Sequence, residues 1–225
     1  MKKIILCLLL CISLAPAQNL QTHYDMGEGR DYVTTTLEMF KPDALGSTFW
    51  FVDMDYNSSK NAMSLGYWEI ARYFTLPWFN KQISATIQYN DGLMLAGETD
   101  EIGIQFGSVW LAGLSYFVPL GESSFSVDLL YRRMDISAQP DWQFTLVWFH
   151  PLLNGRVHFM GYLDYYSQDD FSGNKLNIFQ AEPQLWWNLN GHIAVGSEVE
   201  ISQNFLPQFG DAWKFMPTIG AKWTF

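Results

Sequence analysis

The sequence predicts an all-β fold: a closed transmembrane antiparallel β-barrel of about 12 strands, following a cleaved signal peptide. Three observations predict it. The last strand alternates strictly, with Phe215, Pro217, Ile219, Ala221, Trp223 and Phe225 on one parity and Lys214, Met216, Thr218, Gly220, Lys222 and Thr224 on the other. The chain carries 10 Trp, 11 Tyr and 17 Phe without any long apolar run beyond its N-terminus. That N-terminus reads as a secretory leader.

The leader comes first in the chain. Lys2 and Lys3 form its charged region, Ile4 to Leu14 its apolar core and Ala15-Pro16-Ala17 a small-residue cleavage site. A membrane helix needs about 20 apolar residues, and Pro16 interrupts this core at roughly half that length. A lipoprotein would need a small residue before its cysteine, but Cys11 follows Leu10. The expected division is a signal peptide over residues 1–17 and a barrel over 18–225.

Both cysteines, Cys7 and Cys11, lie in the leader, which leaves the mature chain without disulfides or thiolate metal sites. Without Lys2 and Lys3, 11 Lys and Arg stand against 23 Asp and Glu, a formal charge of −12. That balance excludes nucleic acid as a partner, because phosphate contacts require cations. An aromatic-rich chain of near-neutral hydropathy suits a barrel, which turns apolar rings to lipid and polar groups to a lumen.

Breaks at turn residues give twelve segments: 18–25, 30–41, 45–56, 63–74, 81–90, 102–118, 123–133, 141–149, 156–166, 176–188, 191–202 and 213–225. Phe125, Val127, Leu129 and Tyr131 oppose Ser124, Ser126 and Asp128, and Ile83, Ala85 and Ile87 oppose Ser84, Thr86 and Gln88. With a periplasmic N-terminus, the short connections such as Pro42–Ala44 and Leu189–Asn190 fall at the periplasm. The longer ones, such as Asp91–Glu101 and Gln203–Ala212, fall outside. An even strand count returns the C-terminus to the periplasm, and no second domain follows.

Carboxylates facing hydrocarbon are costly, so parity assigns the lumen. Glu38, Asp53 and Asp55 should face inward, and with them Phe40, Phe49 and Phe51; Tyr67 and Glu69 follow in the fourth strand. Arg72 breaks that parity and is expected either to snorkel at a rim or to mark a bulge. Asp128, Arg132, Arg156, His158, Asp164, Glu182, Glu198 and Glu200 fall on other polar faces, where filling a small barrel is the plain explanation. Aromatic rings beside carboxylates can stack on a planar ring and hold sugar hydroxyls, and the acid excess favours neutral or cationic solutes over anionic phosphates.

An enzymatic reading has less behind it. His23, His150, His158 and His192 show no nucleophile motif, and the Asp-Ser-Asn-Gly run of an outer-membrane phospholipase is absent. Trp148, Trp186, Trp187, Trp213 and Trp223 sit near strand ends and suit aromatic girdles. Asp169 and Asp170 in Ser167–Lys175 offer an unspecific Ca²⁺ site.

Three stretches resemble the nucleoside-specific channel-forming porins of the outer membrane: Asn19-Leu20-Gln21-Thr22-His23-Tyr24-Asp25, the run TTLEMFKPDALGSTFWFVDMDY over Thr35–Tyr56, and YWEIARYF over Tyr67–Phe74. The chain looks closest to a small, largely uncharacterised branch of that superfamily. The resemblance implies a monomeric twelve-stranded barrel whose narrow lumen passes nucleosides through weak sites. The matching lining positions are Glu38, Phe40, Phe49, Phe51, Asp53, Asp55, Tyr67 and Glu69. The outer loops here are shorter than the family's, a departure that bears both on the substrate and on the phage and colicin receptor role those loops serve in the family.

The expectation is therefore an outer-membrane channel for passive, substrate-selective diffusion of small solutes, nucleosides first. It has no cofactor, metal or catalytic residue. Its partners are the solute, the outer-membrane lipids and the barrel assembly machinery, engaged through the strand ending at Phe225. The rivals are a lipid-acting hydrolase or acyltransferase, with a His and a Ser converging at the outer-leaflet rim, and a plugged structural or receptor barrel.

Overall fold

The computed structural model describes residues 17–57, 62–96, 102–170 and 172–225. The expected leader lies outside them except for Ala17, which begins the first strand. The strands are β1 (Ala17–Asp25), β2 (Tyr32–Asp43), β3 (Gly46–Asn57), β4 (Ala62–Thr75), β5 (Ile83–Ala96), β6 (Ile102–Gln105), β7 (Val109–Leu120), β8 (Ser123–Met134), β9 (Asp141–Leu152), β10 (Val157–Asp169), β11 (Lys175–Asn188), β12 (Ile193–Gln203) and β13 (Lys214–Thr224). All pairings are antiparallel and, β6 and β7 apart, join neighbours in the chain, and β13 pairs with β1. Both β6 and β7 pair with β5, as successive pieces of one barrel strand, so twelve strands close the barrel.

Closure runs through the terminal strand that the sequence singled out. Leu20 faces Trp223 and Gln21 faces Lys222. The Phe225 amide donates to the Gln18 carbonyl at 3.1 Å, and the Thr224 amide to the His192 carbonyl at 2.7 Å. Pairing of β13 with β1 closes the ring of strands on itself, which is how a sheet comes to sit in hydrocarbon.

Contacts between strands that are not neighbours identify the interior, because they can be made only across it. The Tyr73 hydroxyl of β4 donates to Asp128 of β8 at 3.1 Å, and the His23 ring of β1 lies 5.5 Å from the Trp186 ring of β11. Strand register then carries the inward parity around the barrel. On the opposite parity Trp68, Ile70, Leu114, Leu129, Leu185, Val195, Ile219 and Trp223 are exposed. The apolar belt is outside and the polar groups are inside, the inverse of a soluble domain.

Four of the five connections at the end carrying Ala17 and Phe225 are of two to four residues, Leu76–Gln82 being the exception, and that end is the periplasmic one. Gly121, at φ 61°, begins a two-residue turn there, in a conformation that a side chain would disfavour.

Several expectations need correction. The loop expected over Asp91–Glu101 is in part a hairpin, since β5 continues to Ala96 and meets β6. The segment expected over 102–118 is interrupted between β6 and β7. Arg156 lies in the turn before β10, outside the barrel wall. Trp186 is not a girdle residue: it faces inward, fully buried, with Lys222 Nζ 4.2 Å above its ring. Arg72 does face outward, and it reaches the periplasmic rim, where both guanidinium amino groups donate to Asp43 at 2.6 and 3.0 Å.

Candidate functional site

The inward faces of β2, β3 and β4 form one wall, and all eight expected lining residues stand on it. Register places Phe40 opposite Phe49, Glu38 opposite Phe51, Phe51 opposite Glu69, and Asp53 opposite Tyr67. Alternation dictates this: Glu38 and Phe40 are two apart on β2, as are Phe49, Phe51, Asp53 and Asp55 on β3 and Tyr67 and Glu69 on β4.

The rings on this wall form a ladder. Phe49 and Phe51 have centroids 6.0 Å apart, Phe51 and Tyr67 6.0 Å, and Tyr67 and Phe106 6.3 Å. These spacings lie within the range of favourable edge and offset contacts. Phe106 was not expected here; straight alternation through 102–118 puts it on the lipid side with Trp110.

The carboxylates between the rings are held by neutral donors. Asn19 Nδ2 donates to Glu38 at 2.9 Å, Thr36 to Asp53 at 2.5 Å and Thr34 to Asp55 at 2.8 Å. The Tyr67 hydroxyl and Asn90 Nδ2 both donate to Glu69 Oε1, at 2.5 and 3.0 Å. Across the lumen Thr145 donates to Asp164, and Gln184 donates to Glu198 at 2.9 Å. Among the described residues none of Glu38, Asp53, Asp55, Glu69, Asp164 or Glu182 pairs with a Lys or Arg. The passage carries more carboxylates than cations, and two of its cations lie inward over aromatic rings, Lys222 on Trp186 and Arg132 on Tyr166. Arg30 is spent on Asp25 and Glu200 near the outer mouth, at 2.9 and 2.7 Å.

Exposure divides the lumen. All eight candidate residues are half-buried or exposed, whereas Leu111, Leu130, Arg132, Tyr166, Ile178, Ser202 and Met216, also inward, are buried. Asp164, Glu182 and Glu198 across from the candidate wall are half-buried like it, and those buried inward groups lie toward the outer ends of their strands.

The other expected sites resolve plainly. His23 is a buried lumen residue within hydrogen-bond reach of Thr218 and Gln21, at 3.0 and 3.2 Å. Ser123 Oγ and His150 Nδ1 meet at 2.5 Å, but at the periplasmic end rather than the outer-leaflet rim. No carboxylate orients that imidazole among the described residues. Asp169 is committed to Lys175 and the Ala138 amide, and Asp170 to the amides of Ser172 and Asn174. Backbone hydrogen bonds hold the Asp170 carboxyl below the usual carboxylate range.

A family profile described as "Domain of unknown function (DUF5020)" matches residues 17–225. The chain belongs to that family. No curated protein matches its sequence. Among solved structures, the DUF5020 chain is similar to the KdgM porin in complex with disordered oligogalacturonate, with a TM-score of 0.54 and 10% identity over 93% of this chain and 99% of that one. It is also similar to the KdgM porin alone, with a TM-score of 0.55 and 10% identity over 93% of this chain and 99% of that one. At this identity the likeness concerns the fold, that of outer-membrane porins. With the apolar belt, that fold places the DUF5020 barrel in the bacterial outer membrane.

Proposed function

We propose that this barrel is an outer-membrane channel for passive diffusion of small neutral or cationic solutes that carry a planar ring and hydroxyl groups, nucleosides first. The observation that carries the reading is the solvent-reachable wall where the ring ladder Phe49–Phe51–Tyr67 is interleaved with Glu38, Asp53, Asp55 and Glu69. A ring slides along stacked aromatics while its hydroxyls donate to successive carboxylates. Weak binding at several places allows release where one tight site would block. No covalent step or cofactor is involved.

The KdgM porin is described in complex with oligogalacturonate, an anionic sugar polymer. The unpaired carboxylates here repel such a chain, so the barrel fold is shared and the solute class differs. Purified protein in planar bilayers provides the test. The native barrel should conduct, and adenosine or thymidine should reduce its current in a concentration-dependent way. Absence of conductance, or indifference to both nucleosides alongside a response to oligogalacturonate, would overturn the reading.

A further inference from the structure

We propose that Phe106 is the outer entry subsite of this channel, a stacking surface for the planar ring of an incoming solute, placed in the lumen by a one-residue β-bulge. The inference rests on the channel reading above and adds a residue that the parity of the strand hides.

The bulge follows from the register. Leu93 pairs with Gln105, and the Phe106 amide donates to the Gly92 carbonyl at 2.9 Å, so Gly92 faces Phe106. Asn90 pairs with Val109. Between these pairs Asp91 alone opposes Gly107 and Ser108. An extra residue on one strand reverses its alternation: Phe106 and Val109 both face inward, and Trp110 faces out.

The surrounding residues hold that geometry. Asp91, on the outer face, accepts from the Tyr89 hydroxyl at 2.7 Å, the Ser108 hydroxyl at 3.1 Å and the Gly92 amide at 2.7 Å. The Asp135 amide donates to the Ser108 carbonyl at 3.0 Å, tying the bulge to the end of β8. Two glycines clear the space. A Cβ on Gly92 would lie 2.5 Å from Cδ2 of Phe106, and one on Gly107 would lie 2.9 Å from Cγ of Met134. Both strands thus give up a side chain where the ring turns inward.

The position gives the ring its role. It stands at the extracellular end of the ladder, below the β5–β6 hairpin, with its plane at 70° to Tyr67. This corner offers two faces to a flat molecule, and Glu69 beside Tyr67 accepts from the molecule's hydroxyls. Bulges commonly re-aim one side chain next to a working site, and base–aromatic stacking tolerates any flat ring.

Residues 17–225 contain no cysteine, so a single thiol reports its own surroundings. Phe106→Cys and Trp110→Cys would each be reconstituted in liposomes and treated with a charged, membrane-impermeant methanethiosulfonate. Thiols ionise in water and not in hydrocarbon, so Cys at 106 should react at least about tenfold faster. The ring's role is read on the current: Phe106→Leu should weaken the adenosine block about tenfold and Phe106→Trp should retain it. Equal thiol rates at the two positions would overturn the proposal. So would equal adenosine block in the native, Phe106→Leu and Phe106→Trp barrels, which leaves the channel reading standing. A native barrel that does not conduct defeats the channel reading itself, and the subsite with it. If the cysteine variants fail to assemble, the Phe106→Leu and Phe106→Trp comparison decides alone.

Discussion

The backbone amide of Phe225, the last residue, donates to the carbonyl of Gln18 at 3.1 Å, so the two ends of the described chain close one ladder. The Phe225 ring packs edge-on against Trp223 with centroids 4.6 Å apart, and both rings are exposed on the outer face. We propose that this end strand, with its terminal aromatic residue, is what the barrel assembly machinery engages. Deleting Phe225 removes the closing hydrogen bond and half of that pair. Most of the variant should be lost from the outer membrane and degraded in the periplasm, as read by surface proteolysis and by the heat-dependent gel shift of folded barrels. Native surface amounts would count against the role given to the strand.

The Arg72–Asp43 pair predicts an acid response at the periplasmic rim. At the tip of the β2–β3 hairpin, hydrogen bonds from Arg72 hold the Asp43 carboxyl at about 2, below its ordinary 3.8, with the Leu45 amide adding to the effect. A depressed value stabilises the folded form above the unfolded pKa, and that contribution disappears as pH falls through the folded one. Native protein should therefore lose a small increment of stability between about pH 4 and pH 2 that Asp43→Asn lacks throughout. The difference between their melting temperatures, followed from pH 7 to pH 2 in detergent, should shrink to nothing. A constant difference would remove the pair from the account.

Much of this architecture is legible because a barrel wall must alternate at every residue. The strand expected over 123–133 is observed as Ser123–Met134, and the one over 176–188 as Lys175–Asn188. The eight candidate residues share one face because one unfavourable term, a carboxylate in lipid, fixes the parity of a whole strand. What failed was parity carried across an irregularity. Gly107-Ser108 inside the 102–118 segment was the available signal, since a glycine within a strand often marks a bulge. Trp186 and Trp187 held another: adjacent residues on a strand face opposite ways, so two neighbouring tryptophans cannot both belong to a girdle.

Trp186 should be the costliest ring to remove. It is fully buried, donates through Nε1 to Gln184 at 2.9 Å, and lies against His23 and Lys222. Gly196 on β12 makes room for it, since a Cβ there would lie 2.6 Å from Cε3 of the indole. Truncating such a ring costs about 3–5 kcal/mol through lost contacts and the cavity left behind. Trp186→Ala should lower the midpoint of urea unfolding in detergent far more than Trp187→Ala, whose ring is half exposed on the outer face. Equal effects would mean that the lumen does not bear the packing described.

The charge of the lumen makes the last prediction. Asp53 and Glu69 stand on the accessible wall, held by Thr36 and by Tyr67 and Asn90, with no Lys or Arg paired to either among the described residues. An excess of carboxylates over cations in a narrow passage with low-dielectric walls concentrates cations and excludes anions. The native channel should be cation-selective in a salt gradient. Asp53→Asn combined with Glu69→Gln keeps the shape and the hydrogen-bonding neighbours and removes only charge, so the preference for cations should fall by about half. Thr36, Tyr67 and Asn90 can still bond the amides, which keeps the substitution from opening a cavity. Neutral solutes provide the contrast: adenosine block should survive with modest weakening, because the rings remain and amide oxygens still accept from hydroxyls. An unchanged reversal potential would place the ion path away from this wall, and with it the solute path that the wall was proposed to line.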